Sequence, residues 1–184
     1  MGLLTVVTVR DDDDLVLRET AEPVSRVDDR VRRLMDDMVD TMRDAPGVGL
    51  AAPQVAESVR VIVVETPLDY DDPDAGTRLH QLANPEVVWR SDDIVEDQEA
   101  CLSIPDLYGD VPRDTAVRVR ALDREGHTVE IDAEGFEARV LLHEIDHLDG
   151  VLFTDRVTGL DKLYTFREDG NGQTVRVAYS VPSI

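Results

Sequence analysis

The sequence of 184 residues has few cysteine and aromatic side chains, and these shortages limit the classes of protein to which it can belong. Cys101 is the only cysteine, so no disulfide can form within the chain. Aromatic residues make up 4% of the sequence, whereas a hydrophobic fraction of 42% is enough for a globular core. No apolar run approaches the length of a membrane span, and the N-terminus lacks a signal-peptide pattern. We expect a single cytoplasmic domain over residues 1–184 with no membrane partner.

Basic side chains are also scarce. The chain has 19 Lys and Arg residues against 40 Asp and Glu residues, a net charge of −21, and Lys162 is its only lysine. Such charge repels itself in dilute buffer, whereas molar salt shortens the screening length to about 3 Å and removes most of the penalty. The composition therefore favours adaptation to a salty cytoplasm over an acidic surface for one basic partner. It also argues against direct nucleic-acid binding, which needs basic patches.

Two segments have the apolar spacing of helices. Ser25 and Asp28 resemble a capping box, and the apolar residues after them predict a helix of about four turns that stops at Pro46. A second helix is predicted from about Gly135 to Leu148, with Gly150 as its C-terminal stop. Together with many short strands, two long helices indicate an α+β fold.

The predicted strands are short and are separated by turn signals. A solvated turn is expected at 11–14, and a turn or bulge at Asn84-Pro85. The last two predicted strands form a hairpin in the tail, residues 158–184, which we expect to cap a sheet as an extended segment. The predicted strands cover residues 3–9, 59–65, 79–82, 86–89, 94–96, 100–104, 117–122, 128–132, 163–167 and 174–179.

The segment from Val140 to Gly150 carries the clearest functional signal. On a helix, His143 and His147 lie on one face and can bind one metal ion, with Glu144 beside them as a candidate base. Apolar residues cover more than one face of this helix, which predicts that it is buried. Because buried polar groups need partners, the pattern favours a divalent metal site over the alternative, a satisfied structural network.

A catalytic metal site usually has three protein ligands and one position for water. The residues after His147 do not continue the metalloprotease pattern, in which the third ligand follows shortly downstream. Cys101 is the remaining soft candidate, and the alternative for it is a small buried apolar side chain.

Three motifs in order resemble those of the peptide deformylases. They are G-V-G-L-A-A-P-Q at 47–54, E-A-C-L-S at 99–103 and H-E-I-D-H-L-D-G at 143–150, and the similarity extends over roughly residues 10–157. The resemblance implies short antiparallel sheets packed around a central buried helix that carries His-Glu-x-x-His, with a further N-terminal helix. It also implies a hydrolase that removes the formyl group from N-formylmethionyl nascent peptides and releases formate.

The resemblance assigns roles to the motif residues. Cys101, His143 and His147 would be the metal ligands, and Glu144 the general acid and base. The implied cofactor is one divalent ion, Fe(II), with Zn(II), Ni(II) and Co(II) as alternatives. The implied enzyme is a monomer that meets its N-formylated nascent peptide at the ribosome.

The same resemblance assigns the oxyanion donors and the substrate contacts. The Gln54 amide and the Leu102 backbone N–H would bind the oxyanion beside the metal. Backbone around Gly47–Gly49 would pair with the peptide as an added strand, and side chains around it would line a methionine pocket. The candidate substrate-binding residues are Gly47, Val48, Gly49, Glu99, Phe136, Arg139 and Val140.

The chain departs from the family pattern at several positions. Ala100 replaces a glycine, Leu142 replaces a glutamine, and Arg139 stands where an apolar pocket residue is common. Arg139 could extend out of the pocket to solvent or make the pocket polar. A further hypothesis pairs Arg113 with Glu99 or Asp146 to orient the metal ligands, with a scattered surface ion pair as its alternative.

Three other functions stay open on the sequence. The departures at Arg139 and Leu142 leave room for a deformylase-like amidohydrolase that acts on a different N-formyl compound. The His-Glu-x-x-His pattern alone would suit a protease, although the downstream ligand of that class is missing. A metal-binding or ribosome-associated protein without turnover is the non-enzymatic alternative.

Overall fold

Two antiparallel sheets and two long helices make up the part of the chain that the computed structural model describes, residues 2–11, 14–69 and 71–179. The helices are α1 (Asp29–Asp44) and α2 (Gly135–Leu148). The predicted α+β class is confirmed. The strands are β1 (Gly49–Ala51), β2 (Val61–Pro67), β3 (Thr77–Arg90), β4 (Ile94–Cys101), β5 (Ile104–Asp114), β6 (Ala116–Leu122), β7 (Thr128–Glu134), β8 (Leu163–Glu168) and β9 (Thr174–Ala178).

The strands form a five-stranded sheet in the order β1-β2-β3-β6-β7 and a four-stranded sheet in the order β4-β5-β8-β9. α2 contacts strands of both sheets, chiefly β1, β2 and β7 of the first and β5 of the second. β1 is an edge strand of the larger sheet, and β4 is an edge strand of the smaller one. An edge strand presents backbone groups that can pair with another chain.

β2 forms the centre of the hydrophobic core because its β-branched run is buried on both faces. Ile62 and Val64 pack in the cluster with α2, whereas Val61 and Val63 pack in the cluster with α1. The predicted strand at 59–65 is confirmed with shifted bounds. Val59 lies outside β2 because it makes an isolated parallel bridge with Glu22.

The burial of α2 confirms the central helix that was predicted. Every residue from Ala138 to Leu148 is buried, including both histidines and Glu144. The chain leaves the helix at Gly150, whose φ is +70°, and a Cβ atom there would lie 2.5 Å from the carbonyl oxygen of Arg18. Glycine is therefore required at this turn.

α1 has the predicted four turns but a different N-cap. The prediction of a capping box at Ser25 was wrong: Asp28 caps the helix, and its side chain accepts hydrogen bonds from the backbone N–H groups of Arg30 and Val31 at 3.0 and 3.1 Å. A carboxylate at this position also interacts favourably with the helix dipole, so Asp28 is the better cap.

The N-terminal segment does not form the strand that was predicted at 3–9. Its backbone N–H groups instead donate to three separate partners, from Leu4 to the Thr41 hydroxyl, from Val7 to the Gln54 carbonyl and from Val9 to the Ser103 carbonyl. Single bonds to different elements do not make a ladder. Asp12 and Asp13 of the predicted turn at 11–14 lie outside the described residues.

β3 runs through the predicted turn signal at Asn84-Pro85 without ending. The register with β6 shifts between Ala83 and Glu86, and Asn84 has a φ of +50°. The segments 79–82 and 86–89 are therefore parts of one strand with a bulge.

The prediction that 94–96 pairs with 100–104 was wrong. Residues 94–101 form one strand that pairs with β5 across the turn at Leu102 and Ser103. β5 was not predicted because Pro105, Pro112 and several acidic side chains give it no strand pattern.

The two predicted hairpins are confirmed. β6 pairs with β7, and β8 pairs with β9. β8 also pairs with β5 through Tyr108–Tyr164 and Gly109–Leu163, so the tail extends the four-stranded sheet, while residues 180–184 lie outside the described part. Among the described helices, none has both the length and the apolar character that a membrane span needs.

Candidate metal centre

One thiol and two imidazoles meet between the two sheets. Cys101 is the last residue of β4, and His143 and His147 lie one turn apart on α2. One ligand atom from each residue lies within 4.8 Å of the others, and all three residues are buried. The Sγ atom of Cys101 lies 3.2 Å from Nε2 of His147. Elements distant in sequence thus place together the three residues that were predicted as ligands.

A buried carboxylate orients the first histidine. Nδ1 of His143 lies 2.8 Å from Oε2 of Glu99, which leaves Nε2 to face the cluster. Burial raises the pKa of Glu99, but hydrogen bonds from Arg113 and His143 outweigh it and hold this pKa at about 2. Glu99 is therefore an anion that favours a proton on Nδ1 of His143.

The two imidazoles differ in their surroundings. Burial lowers the pKa of His143, but contacts with Cys101 and Glu99 hold this pKa well above its ordinary value. Burial, and then the charges of His143 and Arg113, lower the pKa of His147 well below its ordinary value. Nδ1 of His147 has no hydrogen-bond partner among the described residues, so packing and the contact of Nε2 with Sγ of Cys101 fix this ring.

Arg113 joins the carboxylate of Glu99 to that of Asp146. It forms a fork on Glu99 at 2.8 and 2.9 Å and donates to Asp146 at 2.5 Å, and its own side chain is 6% exposed. Arg156, which was not considered from the sequence, forms a second fork on Asp146 at 3.0 and 2.6 Å. Arg113 therefore pairs with both Glu99 and Asp146, although the hypothesis required only one of them. The alternative, a scattered surface ion pair, is excluded because these side chains are buried.

The side chain of Arg139 does not extend out of the pocket to solvent, which was one of its two predicted orientations. Its guanidinium donates to the carbonyl oxygens of Val95 and Val111 at 2.8 Å each and to Glu99 at 2.9 Å, and the residue is 7% exposed. The charge is therefore held by the β4–β5 hairpin. Nothing in the sequence signals this, because backbone acceptors leave no pattern.

Glu144 is buried beside the ligands with little room around it. A Cβ atom on Gly49 would lie 2.3 Å from Oε1 of Glu144, so any side chain at this position would displace the carboxylate. Oε2 of Glu144 has no hydrogen-bond partner among the described residues, and burial raises the pKa of this carboxyl to about 7. An unpaired oxygen of this kind is available to water or substrate.

Gln54 and Leu102, the predicted oxyanion donors, both lie beside the cluster. The Oε1 atom of Gln54 accepts from the Ala51 N–H at 2.8 Å, and Nε2 lies 3.5 Å from Sγ of Cys101. Nε2 also donates to the hydroxyl of buried Ser103 at 3.1 Å, a contact that the motif E-A-C-L-S could have suggested. Leu102 follows Cys101 in the hairpin turn.

A cavity of about 450 Å³ opens onto this cluster between the edge strands β1 and β4. Cys101, His143, Glu144, Gln54 and Leu102 line it, whereas His147 is not among the lining residues. All candidate substrate-binding residues line the same cavity, namely Gly47, Val48, Gly49, Glu99, Phe136, Arg139 and Val140.

The residues fit a metal ion. A thiol and two imidazoles with converging donor atoms form a three-ligand set, and a buried carboxylate stands beside them. A three-ligand set of this kind beside a buried carboxylate is typical of metal-dependent hydrolases. The family model of polypeptide deformylase matches residues 4–163. The chain therefore belongs to the polypeptide deformylase family.

Individual relatives agree with this assignment. A peptide deformylase of Symbiobacterium thermophilum is 53% identical to the chain. The match covers 79% of this chain and 64% of that relative's length. A peptide deformylase of Methylocella silvestris is 49% identical, and the match covers 81% of this chain and 76% of that relative. The chain is also similar to the structure of peptide deformylase from Ehrlichia chaffeensis in complex with actinonin, with a TM-score of 0.79 and 35% identity over 88% of this chain and 92% of that one.

Replacing Arg113 by alanine tests whether the buried ion network orients the ligands. Losing one partner of a buried pair typically costs about 3–5 kcal/mol, although Arg139 and Arg156 still hold the two acids. We expect Arg113→Ala to lower the free energy of unfolding and the metal content of the purified protein. Arg118→Ala, which removes a surface pair with Asp132 (side chains 46% and 70% exposed), is the control. Unchanged metal content in Arg113→Ala would show that Arg113 does not orient the ligands.

Proposed function

We propose that the chain hydrolyses the N-formyl group of N-formylmethionyl peptides and releases formate, with Cys101, His143 and His147 as metal ligands. The observation that carries this proposal is that these three donors converge beside Glu144, at a cavity that Cys101, His143 and Glu144 line. A divalent ion held there supplies a Lewis acid that polarises a carbonyl group and lowers the pKa of water. The chain's own residues do the rest.

Glu144 is the general base and then the general acid. It takes a proton from the water that attacks the formyl carbon, and it gives the proton to the amine as the C–N bond breaks. The leaving products are formate and a free N-terminus. Its unpaired Oε2 and its place among the residues that line the cavity support this role.

Gln54 and Leu102 bind the negative oxygen that develops on the formyl group. Gln54 Nε2 lies 3.5 Å from Sγ of Cys101, within reach of a carbonyl presented at the cluster. The Leu102 N–H follows directly in the turn. Loss of one such donor usually lowers a rate by about 10²–10³.

The peptide binds as an extra strand in the gap between β1 and β4. Gly47, Val48 and Gly49 line one side of the cavity, and Gln98 to Cys101 line the other. Since the metal ligands lie at the end of β4, a peptide that starts there runs back along β4 in the antiparallel direction. Main-chain pairing of this kind accepts many sequences, and pockets provide the selectivity.

The first side chain enters an apolar pocket that suits methionine. Val48, Phe136 and Val140 line it, and the guanidinium of Arg139 is directed at the carbonyls of the β4–β5 hairpin. This direction of the Arg139 charge favours a formylmethionyl peptide over a different N-formyl compound. A strong preference for other formyl amines would overturn the substrate assignment.

The remaining assignments follow from the residue types and the composition. We propose Fe(II) as the resident ion, because a thiolate with two imidazoles suits it, with Zn(II), Ni(II) or Co(II) as substitutes. The charge of −21 suits a monomer in a salty cytoplasm, with residues 1–184 acting as one domain on peptides that leave the ribosome and without nucleic-acid binding.

Glu144→Gln tests the general base. The amide keeps the size of the side chain but cannot take a proton, so we expect kcat for formyl-Met-Ala-Ser to fall by about 10²–10⁴ with metal content unchanged. Formate release and metal analysis, both in concentrated salt, measure the two quantities. Glu134→Gln is the matched control, since Glu134 is exposed and makes no capping hydrogen bond. Wild-type turnover in Glu144→Gln would sink the mechanism.

Gly49→Ala tests the position of Glu144 without changing its chemistry. The added methyl group must displace the carboxylate, since it would lie 2.3 Å from Oε1. A displacement near 1 Å can lower a rate by about 10², so kcat should fall by this order while metal is retained. Gly170→Ala is the control, because a Cβ atom there meets nothing within 4 Å. Equal kcat in the two variants would contradict the predicted crowding.

A further inference from the structure

The N-terminal segment passes directly beside the two proposed oxyanion donors. The Val7 N–H donates to the carbonyl oxygen of Gln54 at 2.8 Å, and the Val9 N–H donates to the carbonyl oxygen of Ser103 at 2.9 Å. Gln54 is one of the two donors, and Ser103 directly follows the other in the chain. We call residues 7–9 the bridging segment, because they connect these two parts of the site.

The side chain of Gln54 joins the same two parts of the site a second time. Its Nε2 donates to the hydroxyl of Ser103 at 3.1 Å, and its Oε1 accepts from the Ala51 N–H at 2.8 Å. The bridging segment, Gln54 and Ser103 therefore form a closed ring of hydrogen bonds. Since Ser103 takes one of the two amide hydrogens of Gln54, the other is left beside Sγ of Cys101, which lies 3.5 Å from Nε2.

The second donor lies in the turn that the bridging segment holds. Leu102 and Ser103 form the two-residue turn between β4 and β5, and the ends of this turn pair through Cys101 and Ile104. Because each peptide unit is planar, a rotation of the Ser103 carbonyl in so short a turn also moves the Leu102 N–H. The bond from Val9 to this carbonyl therefore fixes the direction of the Leu102 N–H.

Burial makes the ring of hydrogen bonds rigid. Ser103 is 0% exposed and Gln54 is 2% exposed, so solvent cannot replace a lost partner there. Val7 is itself buried, in the hydrophobic cluster that contains Cys101. Groups that bind a developing charge act best when their surroundings hold them in place before the reaction.

We infer that the bridging segment positions the Gln54 amide and the Leu102 N–H for the oxyanion, and that Val9 is a positioning residue for the hydrolysis. This inference rests on the proposed function. Because the oxyanion develops only during the reaction, a loss of positioning should lower kcat and leave KM nearly unchanged.

Val9→Pro tests the inference by removing one N–H group. Val9 is the second residue of a turn that the Asp11 N–H closes on the Thr8 carbonyl at 3.0 Å, and proline is favoured at this position of a turn. The substitution therefore keeps the turn and removes the bond to Ser103. We expect kcat for formyl-Met-Ala-Ser to fall about tenfold to a hundredfold, with KM within about twofold and metal content unchanged.

Two variants are matched controls. Gly170→Pro places proline at the second position of another turn, which the Gly172 N–H closes on the Asp169 carbonyl at 3.0 Å, and the Gly170 N–H makes no hydrogen bond within the described residues. Thr41→Val removes the hydroxyl that accepts from the Leu4 N–H, so it loosens the N-terminal segment away from the site. Both variants should keep the wild-type kcat.

A double variant separates positioning from general loosening. In a Gln54→Ala background, one of the positioned donors is already absent, so Val9→Pro should lower kcat by a smaller factor than it does in the wild type. Equal factors in the two backgrounds would show that Val9 acts independently of Gln54 and would overturn the inference. Ser103→Ala opens the ring on the side of Gln54 while every backbone bond stays, and it should also lower kcat at constant KM.

The remaining outcomes separate the inference from the proposed function. If the wild type releases no formate from formyl-Met-Ala-Ser, the proposed function fails and the inference fails with it. If the wild type is active and Val9→Pro keeps both its melting temperature and its kcat, the bridging segment has no positioning role and the proposed function stands. If Val9→Pro loses metal, the segment supports the metal centre instead, and the inference is overturned. If Val9→Pro does not fold, Ser103→Ala decides, and wild-type kcat in that variant contradicts the inference.

Discussion

The structure depends on how one buried carboxylate is satisfied. Glu99 accepts from Arg113, from Arg139 and from Nδ1 of His143, at distances between 2.8 and 2.9 Å. An isolated carboxylate at 6% exposure would be costly to bury, so these donors must stay in place together. Because Glu99 lies two residues before Cys101 on β4 and His143 lies on α2, the same bonds that satisfy the acid fix these two proposed ligands relative to each other.

The surrounding elements follow from that constraint. α2 is buried from Ala138 to Leu148, so the polar side chains of this stretch turn toward the β4–β5 hairpin or toward the candidate metal centre. Gly49 lets β1 approach Glu144, and the gap left between β1 and β4 becomes the cavity. The cavity and the candidate metal ligands therefore share one face of α2, which carries Val140, His143, Glu144 and His147.

Local patterns could predict much of this arrangement, and long-range bonds account for the rest. α2, β2 and the β6–β7 hairpin have apolar spacing and turn residues that suffice to locate them. β5 could not be located in this way, because its prolines obscure the strand pattern. The N-terminal segment has a strand pattern but forms no ladder, because Val7 and Val9 donate hydrogen bonds to separate distant segments. The clustering of Cys101, His143 and His147 could be predicted from the motifs, but the anchoring of Arg139 on backbone carbonyls and the fork of Arg156 could not.

The central claim is that Cys101, His143 and His147 share one divalent ion. X-ray absorption at the metal edge, on protein loaded with zinc in concentrated salt, measures that coordination directly. We predict one sulfur at about 2.3 Å and two imidazole nitrogens at about 2.0–2.1 Å, with the sulfur signal absent from Cys101→Ala. A wild-type spectrum with only nitrogen and oxygen neighbours would contradict the account, since this chain has no other cysteine to provide the sulfur.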